Sequence, residues 1–346
     1  MARVSLCTAV LRWIAVGGAM AALMPAAAHA SGVEAFYKGR NISLFIGFSA
    51  GSGYDIYARL LARYIGRHIP GNPSVIPQNM PGGGSLKVAN YMYSVAAKDG
   101  SAIATISRSL PVEPLLGDVQ FDGRKFTWIG NIANNASLCA TWHTTGVKTW
   151  QDVLTKPFAL ATQGVGTDPH IFALILKNVF GAKVKIVSGY PGGSEMNLAM
   201  ERGEVDGRCG WSWDSIKSTR PDWLKDKKIN LLTVFSLERG PEVPAEVPLA
   251  IDLAKTDEQR EILRMHLAGQ ALGRPFLAPP GIPDDRKAAL RAAFDATMKD
   301  PDFVADITRA SLEVSPMGGA EIDQLLANIY ATPKDVIEKA KQAIKH

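Results

Sequence analysis

Several kinds of chemistry lack their residues in this chain. Only three cysteines occur among 346 residues. None forms a C-x-x-C pair, which argues against redox chemistry and a structural zinc site. Histidine is also sparse. Beyond residue 30 it stands only at His68, His143, His170, His266 and His346, with no pair at metal-ligand spacing. No G-x-x-x-x-G-K-[ST] phosphate loop occurs, and Gly51-Ser52-Gly53 lacks the third glycine of a dinucleotide fingerprint. No metal and no cofactor is therefore expected. A large excess of one charge is missing too. The formal net charge of +5 is small and scattered, which argues against nucleic acid as a partner.

Long apolar runs are absent except near the start. There Arg3 and Arg12 form a basic segment, Trp13 to Leu23 is apolar, and Ala28-His29-Ala30 fits the small-x-small cleavage rule. Residues 1–30 read as a signal peptide cleaved near Ala30, and the mature protein is expected in the periplasm. Cys7 precedes the apolar core, the wrong place for lipid attachment, and the run is short for a membrane span. Removal of the segment takes away two arginines and no acids, so the net charge falls from +5 to +3. The remaining 316 residues are enough for two domains with separate cores. Their two cysteines, Cys139 and Cys209, permit one disulfide or two buried thiols.

What the chain does have is glycine in patterned places. Four short turns read Gly51-Ser52-Gly53-Tyr54-Asp55, Pro81-Gly82-Gly83-Gly84-Ser85, Gly164-Val165-Gly166-Thr167-Asp168 and Tyr190-Pro191-Gly192-Gly193-Ser194. Each falls between a strand-like run and a helix-like run. Such a turn aims free N–H groups and the positive end of a helix at one point, where an anion binds. Asn41 to Phe48, Ser74 to Gln78 and Ile103 to Ser107 read as strands around the first two turns. Phe158 to Thr162, Lys183 to Val187 and the run around Cys209 do so around the last two. The pattern is βαβαβ, twice. Asp55, Ser85 and Asp168 are candidate helix caps, with Pro169 at the favoured first position. Asn230 to Ser236 is expected as a strand returning to the first half, Glu242 to Asp252 as a surface loop. The helical stretches near 257–268, 284–298, 301–310 and 320–329 are expected to cover the first sheet. The expected division is residues 31–135 plus 236–346 in one lobe and 136–235 in the other, with a ligand between them.

Enzyme readings meet obstacles. Gly47-Phe48-Ser49-Ala50-Gly51 matches the G-x-S-x-G nucleophile elbow and follows a strand. The elbow needs its helix directly after the serine, whereas another glycine loop intervenes here. Too few residues precede the strand to build the rest of a hydrolase. Asp55 and Asp168 read as caps or as carboxylates that order the loops. Glu195 sits where the helix dipole alone explains it. Asp206 fits a turn or a ligand's hydroxyl or amine. Tyr54, Tyr190, Trp211 and Trp213 can wall a pocket or fill a core. Arg108 and Arg208 can each pair with a carboxylate in a bidentate way, though singly each reads as a solvated arginine.

The ordered set of motifs resembles a known family. Gly51 to Arg59, Pro77-Gln78-Asn79-Met80-Pro81-Gly82-Gly83-Gly84-Ser85 and Lys98-Asp99-Gly100 are similar to the Bug-type, TctC-like receptors of tripartite tricarboxylate transporters. So are Gly164 to His170, Ser188 to Gly193, Arg202-Gly203-Glu204-Val205-Asp206 and Pro279-Pro280-Gly281-Ile282-Pro283. The resemblance implies an α/β, two-lobed, type II-like periplasmic binding protein. Each lobe would be a mostly parallel sheet flanked by helices, and the protein a monomer without catalysis. It would capture a small organic carboxylate and deliver it to membrane transporter subunits. The ligand-binding positions implied or considered are Ser52, Gly53, Tyr54, Asp55, Gly83, Ser107, Gly166, Thr167, Asp168, Tyr190, Gly192 and Asp206. Two stretches depart from the family pattern: Gly-Ser-Gly-Tyr-Asp at 51–55, and Arg208-Cys209-Gly210-Trp211. The alternatives are an exported hydrolase using Ser49 and a ligand sensor docking to a membrane signalling partner.

Overall fold

The computed structural model describes residues 32–134, 136–240 and 242–345. The expected signal peptide therefore lies outside the described residues. Helix α1 covers residues 32–37. There follow β1 (Asn41–Ile46), α2 (Gly53–Ile65), β2 (Ser74–Asn79), α3 (Leu86–Ser94), β3 (Ala102–Thr105), α4 (Glu113–Leu116) and β4 (Thr127–Asn131). The chain then crosses to β5 (Ser137–Trp142), α5 (Trp150–Thr155), β6 (Phe158–Ala161), α6 (Asp168–Asn178), β7 (Val184–Val187) and α7 (Gly193–Glu201). It continues through β8 (Gly207–Ser212), α8 (Trp213–Thr219), α9 (Pro221–Lys225) and β9 (Ile229–Phe235). The last part holds α10 (Asp257–Leu267), β10 (Pro275–Ala278), α11 (Asp284–Lys299), α12 (Pro301–Arg309), β11 (Met317–Gly318), α13 (Gly319–Tyr330) and α14 (Lys334–Ala343).

Two sheets result, with strand orders β11-β4-β10-β3-β1-β2 and β7-β6-β8-β5-β9. In the first, β1 runs parallel to β2 and β3, and β10 is antiparallel to β3 and β4. In the second, β6 is parallel to β7 and β8, and β5 is antiparallel to β8 and β9. Both faces of each sheet are covered, which is why the strands are apolar on both sides. Ile42, Leu44 and Ile46 of β1 enter one core cluster and Phe45 the other. On α2, Tyr57, Leu61 and Ile65 pack inward, whereas Arg59 and Arg63 face solvent.

The architecture is the expected α/β pair of lobes, but both sheets are mixed rather than mostly parallel, because β10, β11 and β5 run against their neighbours, and four further details are corrected. The strand expected to return to the first half, now β9, instead pairs with β5 at the edge of the second sheet. The chain returns to the first sheet only at β10. Helix α10 does not simply cover the first sheet. Its Leu263 and Leu267 enter the second lobe's core, and it packs on α14, so these two helices bridge the lobes. Ser85 does not cap α3 with its side chain. It has φ 74°, and its hydroxyl accepts from the Ser107 N–H at 2.7 Å. The cap of α2 is Ser52 rather than Asp55, and Thr167 rather than Asp168 precedes α6.

Cys139 on β5 and Cys209 on β8 are joined by a disulfide. Beside it β8 is irregular. Leu138 and Ala140 of β5 face Trp211 and Arg208, so two residues, Cys209 and Gly210, oppose the single Cys139. This is a β-bulge, and Gly210 supplies the positive φ of 66°. Its consequence is functional. Residues 208 and 211 would point to opposite faces of a regular strand. Here the Arg208 guanidinium lies 4.9 Å from the Trp211 ring centroid.

Candidate functional site

Four helices begin around one cavity of about 60 Å3 between the lobes. Gly51, Ser52, Gly53 and Tyr54 bring the start of α2 to it, and Gly193 and Ser194 bring α7. Asp168 and Pro169 open α6, and Ser212 precedes α8. Converging N-termini place unused N–H donors and positive dipole ends on one small volume.

The first loop is held by Asp55. Its carboxylate accepts from the Gly51 N–H at 2.8 Å, from Asn79 Nδ2 at 2.8 Å and from Arg59 Nε at 2.9 Å. The carboxylate thus orders the turn from behind and does not line the cavity. Tyr54 does line it. Its ring stacks on Phe48 at 4.1 Å and lies under the Arg274 guanidinium at 4.7 Å, and its hydroxyl accepts from the Arg108 N–H.

Three arginines reach the cavity, and all are buried: Arg108 at 2 % exposure, Arg208 at 5 % and Arg274 at 1 %. The reading of Arg108 and Arg208 as solvated is therefore corrected. Arg108 Nε pairs with Asp168 at 3.1 Å, and Gln270 donates to the same carboxylate at 3.0 Å. Arg274 pairs with Asp214 at 3.3 Å and donates to Ser215 at 2.9 Å. Tyr57 also donates to Asp214 at 2.6 Å. These bonds tie first-lobe to second-lobe elements. Arg208 differs. Its Nη1 donates to the Gly193 carbonyl at 3.0 Å and to Asn197 Oδ1 at 3.1 Å, both neutral, and its Nε has no partner among the described residues. Burial pulls its pKa down to about 9.

The other sequence-expected positions fall in two groups. Ser107 lines the cavity, with its hydroxyl 2.9 Å from that of Ser109. Gly83, Gly166 and Thr167 lie outside the cavity, in a contact between the lobes. A Cβ on Gly164 would meet the Gly83 carbonyl carbon at 2.6 Å, and one on Gly84 the Thr167 methyl at 1.8 Å. Ser109 donates to the Gly166 carbonyl at 2.6 Å. Gly192 caps α7 beside Ser49, Tyr190 packs half-buried on the second core, and Asp206 accepts from the Ala159 N–H at 2.6 Å. Of the two tryptophans, Trp211 lines the cavity and Trp213 does not. Ser49 donates to Glu195 at 2.9 Å, again from lobe to lobe. Among the described residues no group of three His, Cys, Asp or Glu side chains is placed to hold a metal ion.

Sequence reasoning passed over Arg274, Asn197, Gln163, Ser212 and Ser215, all of which line the cavity. Arg274 had a usable signal. It is a lone charge in the run Ala271 to Ala278, where only burial with a partner is consistent with its neighbours.

The family model described as "Tripartite tricarboxylate transporter family receptor" matches residues 58–341. The chain belongs to this family. A Cupriavidus necator relative, the UPF0065 protein in gbd 5'region, is 26% identical over 339 residues, which is 94% of each chain. Among solved structures, periplasmic binding protein BugD aligns with a TM-score of 0.71 at 19% identity, over 89% of this chain and 98% of its own. MatC of Rhodopseudomonas palustris with bound malate aligns at 0.68 and 20%, over 86% and 99%. A further R. palustris protein, with adipate, aligns at 0.67 and 17%, over 87% and 97%. These receptor-family likenesses agree with the two-lobed fold and with solute binding. Among the described residues no helix is long and apolar enough to cross a membrane.

Proposed function

We propose that this protein is an exported, non-catalytic receptor that closes on a small organic carboxylate and hands it to a membrane transporter. The observation that carries the reading is the convergence of helix starts on a buried, positively charged cavity between two lobes. Closure is written in cross-lobe bonds: Arg108 to Asp168, Arg274 to Asp214, Tyr57 to Asp214, Ser109 to Gly166 and Ser49 to Glu195. Such a set is broken when lobes part and remade when a ligand draws them together. The malate and adipate of the two structural neighbours are of the same chemical class. In this reading the lobes divide near residues 135 and 236, and the cavity positions Ser52, Gly53, Tyr54, Ser107 and Asp168 meet the ligand. Gly83, Gly166 and Thr167 close the lid contact. The receptor is read as acting as a monomer.

The test is thermal melting of protein refolded free of carried-over ligand, against mono-, di- and tricarboxylates and aromatic acids. A ligand at a hundred times its Kd adds about 2.7 kcal/mol, a shift of several degrees for a chain of this size. Unchanged melting with every acid would end the carboxylate reading.

A further inference from the structure

The cavity's charges do not cancel, and the excess sits on one residue. Arg108 and Arg274 each have an aspartate, Asp168 and Asp214. Arg208 is buried like them, yet among the described residues its partners are a carbonyl and an amide oxygen, and its Nε has none. A buried guanidinium without a counter-ion is costly unless something anionic arrives. Its position is not accidental. The Cys209–Gly210 bulge turns it onto the Trp211 face, beside the first turn of α7, where both line the cavity.

The other walls say what the rest of the anion's carrier is like. Among the described residues the only acid lining the cavity is Asp168, and Arg108 and Gln270 already hold it, so no free carboxylate waits there for an ammonium. Ser52, Ser107, Gln163, Ser194 and Ser215 supply neutral donors and acceptors. The free volume, about 60 Å3, is small. We infer that Arg208 anchors the ligand's carboxylate and that the cavity selects a small hydroxy-monocarboxylate carrying a single net negative charge. This rests on the carboxylate-receptor reading and narrows it. A second carboxylate would have no uncompensated cation to meet. A zwitterion would leave its ammonium unpaired.

The experiment is calorimetric titration of the refolded full mature chain with glycolate, lactate and glycerate, and with malate, adipate, citrate and alanine. Two variants accompany the wild type. Arg208→Gln removes the charge. Asn197→Asp places a carboxylate where an oxygen already lies 3.1 Å from Arg208 Nη1, giving the guanidinium an internal counter-ion. The hydroxy-monocarboxylates are expected to bind the wild type most tightly. Both variants are expected to lose about 100-fold in affinity for them. The ligand-free Asn197→Asp protein is expected to melt above the ligand-free wild type, which a merely structural arginine with satisfied contacts would not produce. Tighter binding of malate, adipate, citrate or alanine overturns the inference. So does full affinity for the monocarboxylates in Asn197→Asp, the arm that stands if Arg208→Gln fails to fold. Both of those outcomes leave the receptor reading intact. Binding of no acid at all by the wild type overturns both readings together.

Discussion

The four glycine turns look alike in sequence and do two different things. The turns at 51–54 and 192–194 put glycines onto the cavity, at Gly51, Gly53 and Gly193. The turns at 82–85 and 164–167 meet each other, with Gly164 against the Gly83 backbone and Gly84 against the Thr167 methyl. In the first pair glycine leaves space on the cavity, and the neighbours it faces across the lobes are side-chain hydroxyls, Ser215 for Gly53 and Ser49 for Gly192. In the second it lets the lobes approach closely. One composition thus serves recognition in one place and closure in the other, because a missing Cβ is useful whether the incoming group is a ligand or another loop.

The comparison breaks most sharply by filling one turn of each pair. Gly53→Val is expected to abolish binding. Its Cβ would lie 2.1 Å from Ser215 Oγ, a side-chain tip of the other lobe that can turn aside when the lobes part, so the ligand-free protein folds while the cavity is obstructed. Normal affinity in this variant would remove the first turn from the site. Gly164→Val acts on closure. Its Cβ would lie 2.6 Å from the Gly83 carbonyl carbon, which cannot rotate away. Propping the lobes apart by about 3 kcal/mol weakens every ligand by about 100-fold without changing their order. Small-angle scattering should show no compaction on adding ligand. If Gly164→Val reorders the ligands, or compacts like the wild type, the division of labour between the pairs is wrong.

A pH experiment sharpens the closure side. Glu113 of α4 is buried, faces Gly166 across the lobe contact, and is pushed by burial up to about 7. An acid whose folded pKa is raised gives its full stability below the unfolded value of about 4.3. That stability is lost as pH rises toward the folded value. Between these limits the loss reaches about 3 kcal/mol, with closure weaker at pH 8 than at pH 6. Glu113→Gln should flatten the profile. A stability curve equally steep in that variant would assign the dependence to another group.

Much of this was legible beforehand for a physical reason. The βαβ periods and the glycine turns are local patterns, and local patterns survive in sequence. Helices α11 to α13 fell close to where their apolar spacing put them. What failed was long-range. Strand β9 pairs with β5 rather than the first sheet, and α10 turns Leu263 toward the second core. Neither choice is encoded in the segment itself, only in what else needs covering. The site divides the same way. Ser52 and Tyr54 could be named from their turn, whereas the burial of Arg208 depends on a bulge, and that of Arg274 on an aspartate sixty residues away. Charge compensation is a property of the folded set: the apolar run around Arg274 signals burial with a partner but not which partner, and Arg208 carries no such signal.

The smallest effect concerns what keeps the cavity-side turn in place. Asp55 holds the Gly51 N–H, Asn79 and Arg59 together behind the loop. Its counterpart Asp168 lines the cavity itself and is neutralised across the lobes by Arg108. The two aspartates sit after equivalent turns, yet one serves its own lobe and the other serves closure. Asp55→Asn keeps an oxygen for one donor and loses the charge on the rest. It is expected to cost about 1 to 2 kcal/mol of stability in the ligand-free and bound protein alike. The pair with Arg59 adds little to that, because the arginine side chain is 44% exposed. Asp168→Asn should instead cost more in the closed, bound state than in the open one, because it leaves Arg108 buried without its anion. Chemical denaturation with and without saturating ligand separates the two. Equal losses in both states for Asp168→Asn would show that its pairing with Arg108 is structural and that closure does not depend on it.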